Sequence, residues 1–163
     1  MKIVPKGIIV HSMAEYLVWE GKKVTAHEFL KELGLSVHGF IHPNGDYEKM
    51  IQSPQKAAHA GKSIHEGLSG LNSHYLGFEL LVPGQHDFAT FSKAIETPGT
   101  YTDEQFERAV SVCKWWMDQY KFPASKVVRH SDVSGDHVRG KGKGKTDPGS
   151  AFDWEKFKAA LVA

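Results

Sequence analysis

Residues 102–121 carry the strongest structural constraint in this chain. Phe106, Ala109, Val110, Cys113, Trp116, Met117 and Tyr120 recur at offsets of three and four, so the segment is a helix with one apolar stripe. Thr102 and Gln105 form a capping box at its start, and Pro123 stops the chain beyond its end. A stripe that wide has to be buried against a second layer. The short apolar runs elsewhere supply one. Gly7-Ile8-Ile9-Val10 reads as a buried strand that delivers His11 and Ser12 at its C-terminal end, and residues 75–82 as a central strand ended by Pro83-Gly84. Pro43-Asn44-Gly45-Asp46 is a hairpin turn between strands at 37–41 and 47–51. Thr25 and Glu28 cap a helix that Gly34 closes, and Asp153 caps a last helix with Trp154, Phe157 and Leu161 facing inward. Strands alternating with helices around a hairpin predict an α/β fold: one domain over residues 1–163, with a mixed central sheet flanked by helices.

One cysteine, Cys113, excludes a disulfide framework and any multi-cysteine zinc or iron–sulfur site, and its place on the stripe makes it a core residue. A metal site would have to draw on carboxylates and the ten histidines. Net charge is +1, which argues against a nucleic-acid partner; the local excess of cations lies in residues 126–145. No apolar run approaches the roughly 20 residues of a membrane span, and no signal-peptide core opens the chain. The expectation is a soluble monomer made in a reducing compartment, with no membrane insertion.

Three residues have the character of metal ligands. His11 and His130 each follow a short apolar run, and Pro148 holds Asp147 extended. Two imidazoles and a carboxylate match a catalytic zinc set, which leaves a position for an acidified water. Spacing alone leaves Asp132, Asp136 and His137 as rival third ligands. Glu79 is anomalous within an apolar strand, where desolvation would raise its pKa and suit it to carrying a proton. Residues 53–74, rich in Gly, Ser, His and Asn, read as a functional loop. His27, His65, His74, His86 and His137 read as surface residues.

Ile8-Ile9-Val10-His11-Ser12, Ala58-His59-Ala60-Gly61-Lys62-Ser63, Leu76-Gly77-Phe78-Glu79-Leu80, Arg129-His130-Ser131-Asp132 and Lys145-Thr146-Asp147-Pro148-Gly149 occur in that order. Together they resemble the zinc-dependent N-acetylmuramoyl-L-alanine amidases of the type-2 amidase, or peptidoglycan-recognition, fold. The resemblance runs from residue 7 to about 158 and implies Zn2+ held by His11, His130 and Asp147. It implies catalytic roles for Glu79 as proton shuttle and Lys145 as oxyanion stabiliser, and it places His38, His59 and Asn72 at the substrate cleft. The Lys-Thr-Asp-Pro-Gly match favours Asp147 over its rivals. Two departures stand out: Val37 occupies a position where some relatives carry a catalytic tyrosine, and residues 134–144 form an insertion. The implied reaction is cleavage between N-acetylmuramic acid and L-alanine of the stem peptide, with peptidoglycan or muropeptide as partner. The reading leans toward a phage or prophage endolysin that acts on the cell wall and lyses the host, aided by the cationic loop 138–145. The alternatives are a cytoplasmic anhydro-muropeptide recycling amidase and a non-catalytic peptidoglycan-binding protein.

Overall fold

Strand β1 (Gly7–Trp19) is the axis of a six-stranded mixed sheet in the computed structural model, which describes residues 1–163. After it come β2 (Lys22–Thr25), α1 (Ala26–Glu32), β3 (Gly39–Ile41) and β4 (Tyr47–Lys49). A small hairpin of β5 (Ile64–His65) and β6 (Leu68–Ser69) precedes the second long strand, β7 (Tyr75–Gln85). The chain then forms α2 (Phe88–Ala94), α3 (Asp103–Tyr120), β8 (Val127–Arg129), α4 (His130–Ser134), α5 (Asp136–Arg139) and α6 (Trp154–Leu161). The sheet runs β2-β1-β7-β3-β4, with β8 on the free side of β1. β8, β1, β7 and β3 are mutually parallel; β2 and β4 are the antiparallel partners of β1 and β3.

Alternation along the strands divides the core in two. Ile8, Val10, Leu76, Phe78, Leu80 and Val127 pack against Ala109, Cys113 and Trp116 of α3 and Phe157 and Leu161 of α6. On the opposite face, Ile9, Tyr75 and Val128 pack on Ala60, Leu71 and Val133, while Phe40 and Leu81 pack on α1. The capping boxes at Thr25 and Thr102, the C-terminal Gly34 of α1 and the Asp153 cap of α6 all form as their sequences predict. No helix is long and apolar enough to cross a membrane.

Four features depart from the sequence expectations. β1 is far longer than residues 7–10, because Glu20 and Gly21 turn the chain at positive φ and β2 pairs back on its second half. His11 and Ser12 therefore sit mid-strand. β7 continues through Pro83-Gly84, because a bulge sets these two residues opposite Glu15 alone; Glu15 Oε1 accepts the Gly84 N–H at 2.9 Å. α2 has little apolar signal and is largely exposed, so hydrophobic periodicity does not reveal it. The insertion 134–144 folds as the end of α4, then α5 and a turn held by Asp136.

Gln105 ties the α3 layer to the sheet. It is fully buried, and its Nε2 donates to the carbonyls of Ile41 (3.1 Å) and Leu81 (2.7 Å). Gln105→Leu leaves both carbonyls without that donor at a site closed to water. The expected cost is about 2–4 kcal/mol, read as a lower urea midpoint at unchanged m-value; a shift equivalent to under about 0.5 kcal/mol would contradict this.

Candidate metal centre

Strand register brings the functional side chains together. Val10 pairs with Arg129, so the residues that follow, His11 on β1 and His130 at the start of α4, are neighbours. His11 itself pairs with Glu79 on β7, and Glu79 with Phe40 on β3. Register partners on parallel strands point to the same face, so His11 and Glu79 share the face opposite α3 and α6, and His130, the first residue of α4, completes a row beside His11. The imidazole rings of His11 and His130 lie 4.3 Å apart, edge to face.

Asp147 enters through a gap in the edge of β1. β8 covers that edge only as far as Val10, and the pairing with β2 starts at Tyr16, which leaves the intervening backbone without a strand partner there. The Ser12 N–H fills this need by donating to Asp147 Oδ2 at 3.1 Å, and Ser131 N–H donates to the Asp147 carbonyl at 3.1 Å. The carboxylate then faces both histidines: His130 Nδ1 is 3.1 and 3.2 Å from its two oxygens, and His11 Nδ1 is 3.7 Å from Oδ2. All three residues are buried, and one ligand atom from each lies within 4.8 Å of the others.

The donor chemistry fits a divalent metal. His130 Nε2 lies 3.1 Å from the Ala60 carbonyl, which can only accept, so the ring carries its N–H there. In the neutral ring Nδ1 is then a lone pair set against a carboxylate, an arrangement that a cation held between them would relieve. Four-coordinate zinc with bonds of about 2.0–2.1 Å needs neighbouring ligand atoms roughly 3.3 Å apart. The two imidazole-to-carboxylate spacings, 3.1 and 3.7 Å, bracket that value.

The electrostatics divide the groups by role. Burial, then the neighbouring His130, pushes His11 down to about 4, which keeps it neutral near pH 7. Burial acts to raise Asp147, but the two imidazoles facing it outweigh that and hold the carboxyl below its usual range. Glu79 goes the other way. Burial first, and the Asp147 charge second, lift its carboxyl well above the usual range, against the pull of the Lys145 ammonium. Glu79 is 7% exposed with Phe40 as its strand neighbour. Lys145 is exposed on the segment leading to Asp147, its N–H bonded to the Ser134 carbonyl at 2.9 Å. Beside the centre, a cavity of ≈ 580 Å³ is lined by Ser131, Thr146, Arg129, Trp154, Glu96 and Glu155 among others.

The rival ligands point elsewhere. Asp132 is held by Arg129 through Nε (3.0 Å) and Nη2 (2.9 Å), and Asp136 accepts the N–H groups of Gly142 and Gly144. His137 does not join the His11–His130–Asp147 group. The three residues expected at the cleft are all occupied internally. His38 is buried, accepts the Gly77 N–H on Nδ1 (3.1 Å) and donates from Nε2 to Gln55 O (2.7 Å). His59, partly buried, lies between His11 Nε2 (2.8 Å from its Nδ1) and the Tyr75 carbonyl (3.0 Å from its Nε2). Asn72 Oδ1 accepts the N–H groups of His59 (2.9 Å) and Ala60 (2.7 Å). No ring nitrogen of His38 or His59 is left free for another partner. Val37 is buried in the apolar cluster under α1. Of the remaining histidines, His27 and His42 both pair with Glu48. Sequence reasoning missed the Ser12 N–H and the Ala60 carbonyl, because backbone groups carry no residue-type signal. It also missed Arg139, whose Nη2 donates to the same Ala60 carbonyl at 3.2 Å.

Comparison with known proteins agrees with this geometry. Residues 1–150 match the family Amidase_2, described as N-acetylmuramoyl-L-alanine amidase. The 1,6-anhydro-N-acetylmuramyl-L-alanine amidase AmpD of Enterobacter cloacae is 32% identical over 140 residues, 84% of this chain and 64% of that protein. AmpD of Escherichia coli K12 is 30% identical over 139 residues, 83% of this chain and 65% of its own length. The chain thus spans just under two thirds of the length of these relatives. Among solved structures, an AmpD selenomethionine derivative superposes with a TM-score of 0.66 at 22% identity, covering 96% of this chain and 84% of that one. The endolysin amidase LysCS of Clostridium intestinale gives 0.66 at 20% identity, covering 99% and 86%. AmiD of E. coli, solved with anhydro-N-acetylmuramic acid-L-Ala-D-gamma-Glu-L-Lys, gives 0.67 at 20% identity, covering 98% and 58%. With a family match over nearly its whole length, the chain belongs to the N-acetylmuramoyl-L-alanine amidase family, Amidase_2.

Proposed function

We propose that this chain is a zinc-dependent amidase that hydrolyses the bond between the lactyl group of N-acetylmuramic acid and L-alanine, on soluble anhydro-muropeptides. The observation that carries the reading is the buried His11–His130–Asp147 trio beside the desolvated Glu79 carboxyl. Zinc held by these three residues would polarise the scissile carbonyl and acidify a water molecule. Glu79 takes a proton from the attacking water and returns it to the leaving amine; its raised pKa brings the two transfers closer in energy. The Lys145 ammonium offsets negative charge developing on the carbonyl oxygen. With Val37 buried, no tyrosine stands at that position to share the proton-transfer role.

Choice of substrate follows the closer relatives. Six curated proteins at 27–32% identity carry the name 1,6-anhydro-N-acetylmuramyl-L-alanine amidase. Endolysin structures match at about 20% identity, a level that carries the fold and no more. This favours the recycling activity over the lytic role toward which the sequence reading leaned. Purified protein is expected to cleave anhydro-muropeptides faster than intact sacculi by kcat/KM per scissile bond. Equal or faster release from sacculi would return the lytic assignment.

Two sets of variants test the roles. Glu79→Gln is expected to lower kcat about 10²–10⁴-fold with zinc content unchanged; full activity would remove Glu79 from the mechanism. Asp147→Asn should lose stoichiometric zinc while Asp132→Asn, which disturbs only the Arg129 pair, keeps it. The reverse outcome would make Asp132 the third ligand, and a wild-type protein that binds no metal would point to a peptidoglycan binder without catalysis.

A further inference from the structure

Both imidazoles of the centre are held from behind by one two-residue segment, His59-Ala60. The Ala60 carbonyl accepts from His130 Nε2 at 3.1 Å, and the His59 ring meets His11 Nε2 at 2.8 Å. The segment is itself pinned. The Asn72 side-chain carbonyl accepts the backbone N–H groups of both residues, and Arg139 from the insertion donates to the Ala60 carbonyl. Gly77 on β7 leaves room for the His59 ring: a Cβ there would stand 2.5 Å from Nδ1 and 2.7 Å from Cε1.

The direction of each hydrogen bond follows from what can donate. The Tyr75 carbonyl only accepts, so His59 carries its proton on Nε2. In the neutral ring Nδ1 is then an acceptor, and His11 has to donate from Nε2. A neutral His11 that donates from Nε2 presents the lone pair of Nδ1 on the side of Asp147. The outcome matches His130, whose Nε2 donates to Ala60 and whose Nδ1 faces the same carboxylate. Ligating histidines are generally oriented by a partner on the far ring nitrogen, commonly a carboxylate or a carbonyl. Here one of the two partners is a third histidine.

We infer that His59 is a positioning residue for metal binding: it selects the Nε2–H form of His11 and so aims Nδ1 at the metal, with Asn72 and Gly77 holding His59 in place. This rests on the metal-centre reading above and moves His59 and Asn72 from direct substrate contact to support of the ligands. A histidine in this place keeps the acceptor neutral, whereas a carboxylate would add a third acidic group beside Asp147 and Glu79.

The two hydrogen bonds of His59 can be separated by substitution. His59→Asn keeps an acceptor near the Nδ1 position and loses the Tyr75 bond; His59→Gln reaches the Nε2 position and loses the acceptor for His11. Zinc affinity is measured by chelator competition on the folded, full-length variants, alongside wild type. His59→Gln is expected to bind zinc about 10–100-fold more weakly, and His59→Asn to stay within a few-fold of wild type. In the metal-free 15N-histidine-labelled protein, His11 should read as the Nε2–H tautomer in wild type and His59→Asn and as a mixture in His59→Gln. Gly77→Ala, which displaces the His59 ring, should weaken zinc in the same direction as His59→Gln. Wild-type zinc binding with unchanged affinity and an unchanged His11 tautomer in His59→Gln would overturn the inference. Failure of wild type itself to bind zinc would instead overturn the metal-centre reading.

Discussion

The parallel register of β8, β1 and β7 is the constraint on which the rest depends. It places His130, His11 and Glu79 side by side, although His11 and Glu79 are 68 positions apart in the sequence and Glu79 and His130 are 51 apart. A slip of one residue on any of these strands would turn its functional side chain toward α3 and α6. The apolar alternation of Ile8 and Val10 against Ile9 guards against that slip, since both faces of β1 are buried. Core packing and site geometry are therefore one problem in this fold. The energy that stops the strands sliding is the energy that aligns the chemistry.

An interrupted edge completes the arrangement. β8 is only three residues long, and β2 joins β1 further along, so the backbone beside His11 lacks a strand neighbour on that side. A continuous edge strand would have satisfied the Ser12 N–H and excluded Asp147. The gap instead recruits the carboxylate by a backbone hydrogen bond, and the segment from Lys145 to Asp147 is drawn in with it. Behind the row, His59 and Ala60, between β4 and β5, supply the acceptors for both imidazoles. The unpaired edge brings in the carboxylate while His59 and Ala60 orient the two imidazoles.

The α3 stripe, the capping residues and the hairpin turn were legible in the sequence because local spacing encodes them. His11, His130 and Asp147 could be singled out by residue type, neighbouring apolar runs and motif order, and Glu79 by its placement among apolar residues. The length of β1 and β7 was not legible. Their outer halves depend on a β-turn at positive φ and on a bulge, both settled by partners elsewhere in the chain. Nor was the orientation of His59 and Asn72, which sequence similarity placed at the cleft. Their hydrogen bonds run to backbone groups that any residue type could provide. The insertion had no recognisable pattern, yet Arg139 within it reaches the carbonyl that orients His130.

The central claim is that strand register builds a two-histidine, one-carboxylate metal centre. Zinc X-ray absorption on the purified full chain tests it most directly. The account predicts four light first-sphere scatterers, nitrogen or oxygen, at about 2.0–2.1 Å, with outer-sphere features of two imidazoles. A sulfur scatterer near 2.3 Å, which only Cys113 or a methionine could supply, or a first sphere with three or more imidazoles, would contradict it.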